Sequence, residues 1–120
     1  MALPDHVVEI LDSIGQAAVE VPASFDTLRA FVGVWRFNPA DIPGGSERYA
    51  FLGSHDVLYV LRRFEVNREL IERDLDVHPE QLLTLQCITV ADVAIAESIL
   101  LTWLPSIGDL GEPRHCDIPI

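Results

Sequence analysis

The stretch TVADVAIAESILLTWLP, from Thr89 to Pro105, is the least polar part of this chain, and any fold has to cover it. Val90, Val93, Ala94, Ile95, Ala96, Ile99, Leu100, Leu101, Trp103 and Leu104 run round nearly the whole circumference of a helix. A helix apolar on all sides belongs in the middle of a bundle or at an oligomer interface. It does not suit a membrane: roughly fifteen helical residues reach about 22 Å, short of the roughly 20 apolar residues a bilayer core requires. Asp92 and Glu97 inside it would cost a few kcal/mol more. Thr89, with Asp92 three residues on, reads as a capping-box variant that opens the helix, and Pro105 and Gly108 mark its end.

Helical spacing recurs elsewhere. From Pro4 to Val21 the residues Val7, Ile10, Leu11, Ile14, Ala18 and Val21 define one buried face, with Asp5, Glu9 and Asp12 toward water. Ser24 reads as the cap of a second helix whose inner face is Phe25, Leu28, Phe31, Val32 and Trp35. The two prolines and two glycines of NPADIPGGS, from Asn38 to Ser46, make a connecting loop.

Beyond it, Ser54 is placed to cap a helix carrying Val57, Leu61, Phe64, Ile71 and Leu75, with Glu69 and Arg73 as an i,i+4 pair. The same residues admit a β-hairpin at 48–66. Pro79 suits a first helical position, while LLTLQCITV can equally be a buried strand. These patterns predict an all-α fold, a small bundle of about five helices with the Thr89 to Leu104 helix at its centre. The alternative is an α+β fold with the hairpin at 48–66. One domain over 1–120 is expected, with a turn-rich tail at 105–120.

Charge bounds the partners. Nineteen acids against eight bases give a net charge of -11, so nucleic acid and anionic membrane surfaces are repelled and a basic protein is attracted. All eight bases are Arg; without Lys, Schiff-base catalysis and a P-loop lysine are excluded. Cys87 and Cys116, far apart in sequence, suggest a reducing compartment, and the acids in MALPDHVVEI do not fit a secretory leader. A cytoplasmic location is expected.

No catalytic, cofactor or metal residue is assigned. The histidines His6, His55, His78 and His115 have no metal-helix spacing. SHD, Ser54 to Asp56, has triad residue types but as sequence neighbours, which cannot hydrogen-bond in series. DLDVHPE, Asp74 to Glu80, lacks the glycine of a calcium loop. Asp92 is read as a cap, and Glu97 as the polar edge of its helix or a partner for an Arg.

The densest negative stretch is Glu65, Glu69, Glu72, Asp74, Asp76 and Glu80, a docking strip for a basic protein. The expected function is therefore a small acidic binding module, as immunity proteins and antitoxins are, or a self-associating helical domain. LTLQCITV resembles, over part of its eight residues, a stretch of small helical immunity proteins of interbacterial toxins. The alternative is a small-ligand domain or enzyme with a pocket lined by Trp35, Tyr49, Tyr59 and Trp103.

Overall fold

In a computed structural model, residues 3–53 and 56–119 are described. The chain is α+β and not an all-α bundle: four antiparallel strands in the order β1-β2-β3-β4 carry the fold. Helix α1 (Asp5–Ser13) leads into β1 (Gln16–Val21), which pairs with β2 (Leu28–Phe37). A one-turn helix α2 (Gly45–Arg48) precedes β3 (Leu58–Asn67), and the short helix α3 (Arg68–Glu72) follows it. Edge strand β4 (Leu83–Val90) and helix α4 (Val93–Trp103) complete the regular elements.

The first predicted helix runs too far. It stops because Gly15 takes φ 84, a left-handed conformation that suits glycine, and the Gly15 amide bonds back to the Leu11 carbonyl at 2.9 Å. Ala18 and Val21 then belong to β1, not to the helical face.

The second predicted helix is β2. Phe31, Val32 and Val34 are fully or almost fully buried in consecutive or near-consecutive positions because both faces of the sheet are covered there. Such a strand reads as an unbroken apolar run, from which helical spacings can always be picked out. The predicted helix from Ser54, and the hairpin at 48–66, are replaced by one strand, β3, that pairs with β2 before it and β4 after it. The SHD motif falls partly on Ser54 and His55, outside the described residues.

One face of the sheet presents Ala17, Val32, Val34 and Leu61 to Val7 and Leu11 of α1 and to Ala96 and Leu100 of α4. Leu104, Ile107 and Leu110 close the same cluster, so the expected tail from 105 is partly core. On the other face Phe31, Phe64 and Val66 pack with Leu70, Ile71 and Val77 after β3, and with Cys116 and Ile118. Gly33 faces this last segment, and a Cβ there would meet Ile118 Cδ1 at 3.4 Å, the near limit of ordinary contact.

Helix α4 covers a sheet and is not the centre of a bundle. Asp92 is its cap, accepting the Ala94 amide at 2.7 Å, in place of the Thr89 opening read from sequence. Ile95 and Leu101 stay exposed on its far side. No helix among the described residues is long and apolar enough to cross a membrane.

Candidate functional site

The six acids of the expected docking strip do not form one surface. Glu65 is 1% exposed on β3, where its carboxylate accepts the Ser24 amide at 2.6 Å, the Ser24 hydroxyl at 2.9 Å and the Thr84 hydroxyl at 2.8 Å. These bonds, the Ser24 amide foremost, hold its pKa below the ordinary carboxylate value against the opposing effect of burial. Glu65 is thus a brace inside the fold and is removed from the strip. Glu69 faces Arg73 at 3.7 Å, and Glu72 faces Arg68 at 3.5 Å, both across exposed helical turns. Glu80 sits exposed on a single 3-10 turn, Pro79–Gln81, where a longer helix was expected.

Glu72, Asp74 and Asp76 are brought together, on the wall of an open groove of about 800 Å³. The chain turns sharply here. Asp74 adopts φ 53, its amide bonds to the Ile71 carbonyl at 3.0 Å, and the Leu75 amide reaches the Leu70 carbonyl at 2.8 Å. That pair of bonds is a Schellman ending of α3, with aspartate in the left-handed position where glycine is usual.

Leu70, Ile71, Val77 and Ile118 line the groove's apolar part, and Asp117 and Arg29 also border it. Arg29 is already engaged: it forks onto Glu20 at 2.6 and 2.7 Å and reaches Asp117 at 3.1 Å. The fork pushes the Arg29 pKa up and the Glu20 pKa down. Four carboxylates therefore surround the groove, and its one guanidinium is paired. Arg29 and Asp117 escaped the sequence reading because they lie 88 residues apart, with no local spacing to join them.

The sheet's two edges differ. Along β1, Ala18 exchanges both backbone bonds with Gly111, at 2.9 and 3.0 Å, so the C-terminal segment covers that edge. Among the described residues nothing pairs with the outer edge of β4, which is exposed from Leu83 to Ile88. The buried strand expected for LLTLQCITV is thus an edge strand, with Leu83 43%, Leu85 48% and Ile88 41% exposed.

No family model, curated protein or solved structure matches this chain.

The aromatic residues of the alternative pocket are not gathered. Trp35 stands on one face of the sheet beneath the Arg62 guanidinium at 4.6 Å, while Tyr59 and Trp103 pack against the helix-covered core. Tyr49 meets Phe37 edge-on at 5.4 Å. Of the histidines, His6 donates from Nε2 to the Gly108 carbonyl at 2.9 Å, His78 borders the groove and His115 approaches Glu112 at 3.4 Å. Cys87 lies exposed on β4, and burial pushes the Cys116 thiol pKa up. No group of three His, Cys, Asp or Glu is placed to hold a metal ion among the described residues.

Proposed function

We propose that this chain is a protein-binding module whose acidic groove takes a basic segment of another protein. The observation that carries the reading is the coincidence of Glu72, Asp74, Asp76 and Asp117 with apolar lining from Leu70, Ile71, Val77 and Ile118 in one open groove. A segment that alternates Arg or Lys with apolar side chains satisfies both parts at once. Each exposed ion pair contributes well under about 1 kcal/mol, so binding needs several of them together with the apolar contacts of a lining that is more polar than apolar. The carboxylates and the net charge of -11 mainly raise the rate of encounter and select a basic partner over an acidic one. Occupying and silencing a basic protein is the kind of role such a surface suits.

The test is fluorescence anisotropy with a synthetic peptide of alternating Arg and Leu, across a sodium chloride series. Binding should weaken steeply with salt, and the double variant Asp74→Asn, Asp76→Asn should weaken it more than Asp5→Asn, Glu9→Gln, which removes the same charge from α1. Equal losses in the two variants would show that net charge alone attracts the peptide and that the groove is not its site.

A further inference from the structure

We infer, on the reading of the groove just given, that the basic partner enters it as an extended strand whose main chain pairs with Leu75–His78. After the Schellman ending of α3 the chain runs from Leu75 to His78 without helix or turn, and His78 is extended at φ -93, ψ 153. Such a run spans about 13 Å at roughly 3.3 Å per residue. Its two end residues have spent their amides: Leu75 donates to the Leu70 carbonyl at 2.8 Å, and His78 to the Gln81 side chain at 2.8 Å. Among the described residues the main-chain amides and carbonyls of Asp76 and Val77 have no hydrogen-bond partner. In an extended chain the amide and carbonyl of one residue point to the same edge and those of the next to the other, so whichever edge borders the groove carries a free donor and acceptor.

The side chains select the spacing of the occupant. Val77 packs on the cluster of Phe31, Phe64 and Val66, while Asp76 and His78 on either side of it are exposed. The second bordering segment repeats the pattern, with Ile118 packed on the same cluster and Asp117 exposed. Both segments thus turn apolar side chains to the cluster and carboxylates to solvent at a period of two, which a strand matches and a helix does not. An incoming strand sets its apolar side chains toward Val77 and Ile118 and its basic ones toward Asp76 and Asp117, and the net charge of -11 favours its approach. A helix bonds its own main chain internally, so it would cover the free groups of Asp76 or Val77 without pairing them. Strand addition pairs them.

The test compares two peptides of equal Arg and Leu content on the full chain by fluorescence anisotropy, one strictly alternating and one with its leucines spaced three and four apart. The alternating peptide should bind about tenfold tighter or more. Methylating its leucine amides in one version and its arginine amides in another blocks the two edges of the strand in turn. The version blocked on the edge that meets Leu75–His78 should lose about fivefold to tenfold, and the other should lose less. In amide hydrogen exchange, Asp76 or Val77 should slow by about tenfold or more when the alternating peptide is bound. Equal affinities for the two methylated versions, or no slowing at either residue, would overturn the pairing. Should both spacings bind alike and both weaken in Asp74→Asn, Asp76→Asn, the groove remains a site for basic segments and only the extended pairing falls. Should neither peptide respond to that variant, the groove reading falls and the pairing with it.

Discussion

The carboxylate of Glu65 accepts both the amide and the hydroxyl of Ser24, a residue 41 positions earlier in the chain. Ser24 lies in the connection between β1 and β2, and Thr84, the third donor, lies at the irregular start of β4. One buried side chain on β3 therefore ties together the ends of two connections on either side of it. Thr84 pays for its place with φ 50, an uncommon conformation for a β-branched residue.

Glu65→Ala should destabilise the protein by about 2–3 kcal/mol, since three donors lose a charged acceptor in a buried place. Thr84→Val, which removes one donor, should cost about 1 kcal/mol. Urea midpoints measure both. A loss below about 0.5 kcal/mol in Glu65→Ala, within the range of ordinary surface changes, would show that the brace contributes little.

The same brace sets an acid dependence. Because hydrogen bonding lowers the Glu65 pKa in the folded chain, its stabilisation is complete above the ordinary value of 4.5 and drains away as pH falls through the folded value. Glu20, held down by Arg29, acts in the same direction, though its exposure and solvent screening reduce the effect. Urea midpoints measured downward from neutral pH should hold steady in this respect and fall below 4.5, and Glu65→Gln should fall less steeply. An unchanged slope in that variant would assign the acid loss to other carboxylates.

Helical spacing misled where the sheet is covered on both sides. Phe31, Val32 and Val34 in β2 are buried against opposite faces, so the alternation that marks a half-buried strand is absent. In β4 the error has the opposite cause: Leu83, Leu85 and Ile88 are apolar yet exposed, and no rule of burial would have put them at an edge. What was legible is local. The start of α1 and the Asp92 cap depend on neighbours within a turn, as does the stop of α4 before Pro105. The groove is legible by half: Glu72, Asp74 and Asp76 stand close in sequence, but Arg29 and Asp117 arrive only through the sheet and the segment packed on it.

At the end of α3, Asp74→Gly should stabilise the fold by about 0.5–1 kcal/mol, because glycine occupies the left-handed position without the steric cost of a Cβ. Asp74→Ala keeps the Cβ and should give no such gain, which separates backbone relief from charge removal. Thermal unfolding of the two variants decides it, and a gain in both would locate the effect in lost carboxylate repulsion. Either change should weaken the Arg–Leu peptide in the groove, since both remove a carboxylate from its wall.

Glu97 supplies the last test. It is 6% exposed on α4, beside Ala96 and one turn from Leu100, and among the described residues its Oε2 has no hydrogen-bond partner. A buried acceptor without a donor costs about 1–3 kcal/mol, and methionine matches the length and helix propensity of glutamate without that cost. Glu97→Met should therefore raise stability by about 1–3 kcal/mol in urea unfolding. The helix needs no charge there, since its cap is Asp92 and its buried face rests on Ala96 and Leu100. A loss of stability in Glu97→Met would mean that the carboxylate meets a donor in solution, and the size of that loss would measure the bond.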